Sequence, residues 1–253
     1  MTTATRTTDE LRALATEAEA RFGALPGDTA TATHAERVEA AAAVLAWAHE
    51  TFGESLTVAS SMGDEVLVHL AAANTPGVDV LFLDTGYHFA ETLGTRDAVD
   101  AVYDVNVRTL LPLLTVEQQD EKFGKDLFAR DPDQCCAMRK VEPLERGIAP
   151  FEAWVTGMRR EDAPTRTDIP LVGWDAKRGK VKVNPLAGWT QDDIDAYVEA
   201  QSSTRSPVLI NPLREAGYAS IGCAPCTRPV APGEDPRAGR WAGLTKTECG
   251  LHT

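Results

Sequence analysis

The sequence of 253 residues lacks a run of about 18 apolar residues, which excludes a membrane-spanning helix. It also lacks an excess of positive charge, because 25 basic side chains stand against 38 acidic ones and the net charge is −13. That balance argues against general binding to nucleic acids or anionic membranes. The first twenty residues carry acids where a signal peptide has an apolar core, so we expect a cytoplasmic protein.

The charge is spread unevenly along the chain. Residues 1–121 hold 6 basic and 20 acidic side chains, whereas residues 122–253 hold 19 basic and 18 acidic ones. A locally basic second half in an acidic protein suits a small anionic ligand. The sequence leaves the oligomeric state open, a homo-oligomer included.

Short apolar segments alternate with helical ones through the middle of the chain. The predicted strands are residues 56–60, 78–84, 105–111 and 151–156, and the predicted helices are residues 33–51, 64–73, 88–103, 135–146 and 190–200. Thr33 and Glu36 have capping-box spacing at the start of the first of these helices. The alternation predicts an α/β fold in which helices wrap a parallel sheet.

The composition of the sequence changes at both ends of this region. We expect residues 1–30 to be a flexible leader, residues 31–202 to be a nucleotide-binding α/β domain, and residues 203–253 to be a loop-like segment rich in proline. Three of the five cysteines lie in this last segment, which therefore indicates a functional appendage rather than a second core.

Two loops follow neighbouring predicted strands. The first contains Ser60, Ser61 and Gly63, whose small side chains let a phosphate approach the backbone at the start of a helix. The second contains Asp84 and Gly86 in the sequence LDTGYHF. Loops at the carboxyl ends of parallel strands form the usual ligand crevice, although small residues are also common in ordinary turns and Asp84 could be a simple turn or cap residue.

A third loop, TGMRREDAPTR, follows the strand at 151–156. Its arginines Arg159, Arg160 and Arg166 are candidates to hold phosphate or sulfate oxygens with forked hydrogen bonds. Surface arginines in contact with solvent are the alternative for one or two of them. The position at a strand end favours a ligand contact for at least one.

Four cysteines form two close pairs, Cys135 with Cys136 and Cys223 with Cys226. Structural disulfides are rare in the cytosol, so four thiolates indicate a metal or iron–sulfur centre. An adjacent pair is awkward around one small ion, which favours a cluster over zinc, whose four-cysteine sites are nevertheless common. A redox-active disulfide between Cys223 and Cys226 is a third interpretation, and it leaves the other pair unexplained.

The fifth cysteine, Cys249, is isolated four residues from the end of the printed sequence, in the stretch KTECGLHT. Lys246 and His252 are cationic neighbours that would stabilise its thiolate. Taken alone, the residue is either a nucleophile or an incidental surface thiol.

The chain resembles the assimilatory sulfonucleotide reductases over about residues 55–253. The residues that carry the resemblance are CCAMRKVEPL (135–144), IGCAPCTRPV (221–230), GRWAG (239–243) and KTECGLH (246–252). The resemblance implies a PP-loop fold of the adenine nucleotide alpha hydrolase-like type. It also implies the branch that reduces adenosine 5′-phosphosulfate (APS) to sulfite and AMP in sulfate assimilation and cysteine biosynthesis.

The resemblance further implies roles for individual residues. Cys135, Cys136, Cys223 and Cys226 would hold a [4Fe–4S] cluster, and Cys249 would attack the sulfur to give an S-sulfocysteine that thioredoxin, or a glutaredoxin-like dithiol protein, resolves. Lys140, Arg237, Arg240 and His252 match the phosphosulfate contacts. Ser60, Ser61, Gly63, Asp84 and Gly86 match the nucleotide-binding loops, and Arg166 matches a ribose or phosphate contact.

Three alternatives stay open. A reductase of the 3′-phosphorylated substrate (PAPS) shares the fold and the terminal cysteine but lacks the cluster cysteines. A PP-loop ligase or sulfurylase subunit would need a Gly-Gly-x-Asp-Ser pattern, which SSMGDE does not provide. A non-catalytic iron–sulfur or zinc protein would not need Cys249.

Overall fold

The computed structural model describes residues 6–63, 65–243, 246 and 250–251. In these ranges six strands form one sheet in the order β3-β2-β1-β4-β6-β5. The strands are β1 (Leu56–Ser60), β2 (Val78–Leu83), β3 (Val105–Leu110), β4 (Ala153–Thr156), β5 (Val172–Asp175) and β6 (Lys180–Val183). All neighbours pair in parallel except β5, which is antiparallel to β6. The predicted α/β fold with a parallel sheet is confirmed.

The helices connect the strands and cover both faces of the sheet. They are α1 (Thr8–Gly23), α2 (His34–Phe52), α3 (Glu65–Asn74), α4 (Ala90–Val102), α5 (Val116–Phe123), α6 (Leu127–Arg130), α7 (Pro132–Cys136), α8 (Glu142–Ile148) and α9 (Gln191–Gln201). Thr33 and Glu36 form the predicted capping box of α2. None of the described helices is long and apolar enough to cross a membrane.

Alternate residues of each central strand enter different cores. On β2, Val80 and Phe82 face the larger core, which contains α1, α2 and α3. Leu81 faces a smaller core on the opposite side, where it meets Leu144 of α8 and Trp154 of β4. Burial on both faces explains why these strands appear in the sequence as continuous apolar runs rather than as alternating ones.

The expectation of a flexible leader is wrong for residues Thr8–Gly23. These residues form α1, whose apolar residues Leu11, Ala15, Ala18 and Phe22 are buried against the larger core. These four residues recur at helical spacing and form an apolar face. Because two of them are alanines in a segment rich in Thr, Ala and Glu, this face is not evident from the sequence. The proposed domain boundaries at residues 31 and 202 stay predictions.

Two further elements differ from the predicted ones. The hairpin of β5 and β6 went unpredicted because each strand has only four residues and lysines occupy every second position of β6. The predicted helix at 135–146 is continuous through α7, a wider π-helical turn at Ala137–Val141, and α8. From residue 203 to 243 the chain contains two short 3₁₀ turns, Pro212–Arg214 and Ala224–Cys226, and one isolated β-bridge between Thr227 and Arg240, in agreement with the loop-like prediction.

The sheet order places a topological switch point between β1 and β4. From β1 the chain continues to β2 and β3 on one side, and β4 then pairs with β1 on the other. Loops that leave the carboxyl ends of two such strands diverge and leave a crevice. The ligand site is therefore expected above β1 and β4.

Candidate active site

A cavity of about 700 Å³ lies at the carboxyl ends of β1, β2 and β4. We call the loops that follow these strands (residues 60–63, 84–88 and 156–166) the floor of the cavity. We call residues 203–243, which close it from the opposite side, the wall. The volume is that of a site for a nucleotide-sized ligand.

The loop after β1 brings the predicted residues Ser60, Ser61 and Gly63 to the cavity. Met62 lies between them with φ of 55°, in the left-handed region, and its side chain is buried. The Ser60 hydroxyl accepts a hydrogen bond from the Met62 amide at 3.1 Å. A non-glycine residue held in this conformation costs about 1 kcal/mol, a cost typical of loops shaped for binding.

The loop after β2 divides its residues between the cavity and the turn itself. Thr85 and His88 line the cavity, whereas Asp84 and Gly86 are not among the lining residues. An Asp84 oxygen accepts the Gly86 amide at 2.9 Å, so Asp84 stabilises the turn. Gly86 has φ of 73°, and a Cβ there would lie 3.0 Å from the Arg139 guanidinium.

His88 is held as a neutral side chain at the edge of the floor. Burial lowers its pKa, and Nε2 lies 2.8 Å from the Leu83 carbonyl oxygen, so this nitrogen carries the proton. His88 therefore offers little positive charge to a bound anion at neutral pH.

The three arginines after β4 have different roles. Arg159 and Arg166 line the cavity, and both pair with Asp162, at 2.9 and 3.2 Å. Arg160 turns away, where it pairs with Asp28 at 2.6 Å and donates to the Ile169 carbonyl at 2.9 Å. Of the three candidates, Arg160 therefore does not face the cavity, and its guanidinium links Asp28, after α1, to the loop after β4.

The wall contributes Arg237 and Arg240 to the cavity, as predicted. Arg240 donates to the Ser220 hydroxyl at 3.2 Å and to the Ile221 carbonyl at 3.1 Å. Its guanidinium lies across Gly222, where a Cβ would come within 2.4 Å of it. A side chain at position 222 would thus displace the Arg240 guanidinium from this position.

The four paired cysteines converge on a second, narrow cleft beside the cavity. All four line it, and they are free thiols. Cys135 and Cys136 come from α7, whereas Cys223 immediately precedes the second 3₁₀ turn of the wall and Cys226 is its last residue. Cys223 is hydrogen-bonded with the Thr85 hydroxyl at 3.3 Å, and Trp241 donates its amide to the Cys226 carbonyl at 2.9 Å.

Burial in this cleft disfavours the thiolate form. Burial first, and then the three neighbouring thiols, raise the pKa of Cys135 to about 12, while Arg139 opposes the shift. Burial and the neighbouring Cys223 raise the pKa of Cys226 to about 11, against the opposing charges of Lys140 and Arg240. Such thiols ionise near neutral pH only if a positively charged centre compensates them.

Lys140 lies between the cavity and the cysteine cleft. It lines both of them, as do Cys223 and Trp241. Lys140 lies in the π-helical turn between the cysteines of α7 and the start of α8, and this turn shapes the junction. The charge of Lys140 therefore acts on the cavity and on the cysteine cleft together.

Several residues of this region were not predicted from the sequence. Thr85 touches both the cavity and Cys223, and Arg214 and Trp154 also line the cavity. Arg139 is buried and donates to the Thr85 carbonyl and to Gln119. A signal existed for Arg139, which lies between the cysteine pair and Lys140 in the sequence, and for Thr85, which lies between Asp84 and Gly86.

Two predicted site residues, Cys249 and His252, lie outside the described residues. The described residues next to them contact the site. Leu251 lines the cavity, and its carbonyl accepts a hydrogen bond from Arg178 at 3.0 Å. Lys246 is ion-paired with Asp133 and lies 5.6 Å from the centre of the Trp241 ring.

Comparison with known proteins agrees with this geometry. The family model of the phosphoadenosine phosphosulfate reductase domain matches residues 55–229. The adenosine 5′-phosphosulfate reductase of Streptomyces coelicolor is 57% identical over 247 residues, covering 98% of this chain and 97% of that protein. The protein of the same name from Mycolicibacterium smegmatis is 59% identical over 209 residues, covering 83% of this chain and 86% of that protein.

Solved structures show the same fold. The phosphoadenylyl-sulfate (PAPS) reductase of Candida auris, in a phosphate complex, aligns with a TM-score of 0.62 at 28% identity over 74% of this chain and 90% of that one. The FMN adenylyltransferase of Candida glabrata aligns with a TM-score of 0.56 at 14% identity over 89% of this chain and 76% of that one, which bears on the fold alone. The fold is therefore adenine nucleotide alpha hydrolase-like, and the chain belongs to the adenosine 5′-phosphosulfate reductases within the phosphoadenosine phosphosulfate reductase domain family.

Proposed function

We propose that the protein reduces adenosine 5′-phosphosulfate to sulfite and AMP for sulfate assimilation. The observation that supports this most directly is the junction of the cavity and the cysteine cleft, where Lys140 and Arg240 line the cavity beside Cys226. The substrate is a polyanion, and positive charge at this junction favours its binding. Membership of the reductase family gives the same substrate.

The loops of the floor and the arginines of the wall contact different parts of the substrate. Ser60, Ser61 and Gly63 hold the phosphate at the start of α3. Arg159 and Arg166 contact the ribose or phosphate from the loop after β4. Lys140, Arg237 and Arg240 surround the sulfate, and His252 adds a further contact from the C-terminal end.

The reaction begins with attack by the Cys249 thiolate on the sulfate sulfur. A sulfur–sulfur bond forms, the bond from that sulfur to the bridging oxygen breaks, and AMP leaves with that oxygen. The product is S-sulfocysteine at position 249. Because two anions approach each other, the three cationic side chains around the sulfate lower the barrier.

A dithiol protein such as thioredoxin completes the cycle. One of its thiolates attacks the Cys249 sulfur, forms a mixed disulfide and displaces sulfite, and its second thiol then restores Cys249. The dithiol loses two electrons and the sulfate sulfur gains two. Cys249 therefore meets the substrate and the dithiol protein in turn.

The four paired cysteines fit a [4Fe–4S] cluster. Cys135, Cys136 and Cys223 are buried and Cys226 is half-buried. Around one cleft the four thiols form an all-sulfur donor set, which suits iron–sulfur ligation. The cluster would supply positive charge that keeps these thiols ionised and orders the junction at Lys140.

Sulfite release in the presence of thioredoxin, with APS and PAPS compared at equal concentration, tests the proposal. We expect strong preference for APS. Equal or greater use of PAPS would keep the mechanism and break the link between the cluster and specificity.

The variant Cys249→Ser separates an enzyme from a binding module. We expect it to retain iron and AMP binding and to lose sulfite release. Release of sulfite by this variant at the wild-type rate would exclude Cys249 as the nucleophile. Failure of the wild-type protein to release sulfite from either substrate would favour the non-catalytic alternative.

A further inference from the structure

The loop after β1 is fastened by two side chains of the wall. Asn211 donates from Nδ2 to the Met62 carbonyl at 3.0 Å. Arg214 donates from Nη2 to the Gly63 carbonyl at 2.6 Å. Two consecutive carbonyls of the loop are therefore held by residues far away in the sequence, on the proline-rich segment.

The donors are themselves held in place. Asn211 is fully buried, its Oδ1 accepts the Leu213 amide at 3.1 Å, and its Nδ2 also lies 3.2 Å from the Thr92 hydroxyl of α4. Arg214 makes a second hydrogen bond, from Nη1 to the Ala219 carbonyl. The two side chains thus act as fixed braces rather than as mobile surface groups.

The loop has a conformation that needs such braces. Met62 occupies the left-handed region, which is unfavourable for a residue that has a Cβ, and surrounding contacts maintain it. A serine hydroxyl within the loop supplies one contact, from Ser60 to the Met62 amide. The carbonyl of Met62 is fixed from outside the loop by Asn211.

The orientation of one peptide unit links these braces to binding. In a trans peptide the carbonyl and the following amide point in opposite directions, and the described residues contain no cis peptide bond. The Met62 carbonyl points toward buried Asn211. The amide of Gly63 in the same unit consequently points away from Asn211, and Gly63 itself lines the cavity.

We propose that Asn211 and Arg214 are positioning residues that preorganise the Ser60–Gly63 loop for the phosphate of the nucleotide. The inference rests on the proposed function in one respect, namely that this loop holds the substrate phosphate. It assigns the proline-rich wall a second task besides carrying cysteines. Loss of either brace weakens the phosphate contact while the contacts to the nucleoside remain.

The test compares AMP with adenosine, because the two ligands differ only in the phosphate. Dissociation constants of both are measured by calorimetry for the full-length holoprotein, Arg214→Ala and Asn211→Asp. The aspartate variant keeps the acceptor for the Leu213 amide and removes the donor to Met62. We expect the affinity ratio of AMP to adenosine to fall about tenfold in each variant, the size expected for loss of one orienting hydrogen bond.

Tyr103→Phe is the matched control. The Tyr103 hydroxyl donates to the Pro207 carbonyl and accepts the Leu209 amide, so it ties the same segment to the core without touching the loop. We expect this variant to lower the melting temperature and to leave the affinity ratio unchanged. If Arg214→Ala does not fold, Arg214→Lys, which retains a charge and a single donor group, is expected to give a smaller fall.

The possible failures are distinguishable. An unchanged ratio in both brace variants, with a normal preference for AMP in the wild-type protein, would overturn the inference and leave the proposed function standing. An equal fall in Tyr103→Phe would also overturn it, because general loosening of the wall would then be the cause. A wild-type protein that binds AMP no better than adenosine would refute the phosphate role of the loop, and the inference with it.

Discussion

The floor and the wall of the cavity are held in position by different kinds of interaction. The floor is positioned by β1, β2 and β4, whose residues are buried on both faces of a hydrogen-bonded sheet. The wall, residues 203–243, has short turns and one isolated β-bridge but no strand of the sheet. Several of its contacts are hydrogen bonds from side chains to distant backbone groups. Asn211, Arg214 and Arg240 each make such bonds. Because of this difference, we expect substitutions and loss of iron to displace the wall more easily than the floor.

The largest expected effect concerns the cysteines that join the two regions. Cys135 comes from α7, and Cys223 comes from the wall. We expect Cys135→Ser and Cys223→Ser each to lose most of the bound iron, because a hydroxyl is a poor substitute for a thiolate ligand. Iron content, visible absorption and limited proteolysis of anaerobically purified protein are the measurements.

Cleavage sites distinguish the regions in the same experiment. We expect the iron-depleted variants to be cut first between residues 203 and 243 and the sheet to stay protected. Cys249→Ser is the control and should retain iron. Stoichiometric zinc without iron in the wild-type protein, or equal cleavage of the two regions, would contradict this interpretation.

A second prediction compares two arginines of the wall. Arg240 lines the cavity, whereas Arg228 is exposed and paired with Glu234 at 2.6 Å. We expect Arg240→Ala to slow formation of S-sulfocysteine about a hundredfold, the usual cost of losing one preorganised charge at a reacting anion. Lys140→Ala should have an effect of the same order, and Arg228→Ala should leave the rate unchanged. Single-turnover kinetics measure the step, and similar rates for Arg240→Ala and Arg228→Ala would remove Arg240 from the site.

A third prediction compares leucines of the two regions. Leu81 of β2 is 1% exposed in the smaller core, and Leu213 of the wall is 5% exposed. We expect Leu81→Ala to lower the free energy of unfolding by about 3 kcal/mol. Leu213→Ala should cost less, since loops collapse around a void more easily than packed strands do. Urea denaturation checks both, and a larger loss for Leu213→Ala would reverse the comparison of floor and wall.

The smallest expected effect is a pH dependence of stability on β6, the strand next to the edge strand β5. Burial lowers the pKa of Lys182 on β6 to about 8, while Asp175 opposes the shift. The unfolded chain has a lysine pKa near 10.4, so the charged form destabilises the fold fully below pH 8 and ceases to do so above about pH 10.4. Lys182→Met should therefore gain about 1 kcal/mol of stability at pH 7, reduced by partial exposure and by the lost contact with the Trp154 ring.

That gain should shrink as the pH rises from 8 to 10. Thermal unfolding across this range is the measurement, with the exposed Lys177→Met as the control. A gain that grows with pH would contradict the assignment.

The floor could be predicted from the sequence more fully than the wall. The strand at residues 56–60 and the capping box at Thr33 appear in the structure as predicted, because runs of apolar residues and local capping patterns are properties of short segments. The burial of α1 was missed, since the alanines Ala15 and Ala18 signal a packed helix only when their partners in the sheet are known.

The wall was beyond prediction for a different reason. Its order depends on hydrogen bonds between residues far apart, such as Arg214 with Gly63, and no local pattern encodes them. Cys223 and Cys226 could be named from their spacing, whereas Arg237 and Arg240 were named through the family resemblance alone. Even on the floor, the resemblance did not separate Thr85, which lines the cavity, from Asp84, which stabilises the turn.

The central claim is that the cavity directs the sulfur of APS to Cys249. The most direct test is to incubate the anaerobic holoprotein with APS, without any dithiol protein, and to map the peptides by mass spectrometry. We expect one added SO₃ group on the peptide that contains Cys249. This group should be released as sulfite when thioredoxin is added. An unmodified Cys249 peptide, or an SO₃ group on any of the four paired cysteines instead, would contradict it.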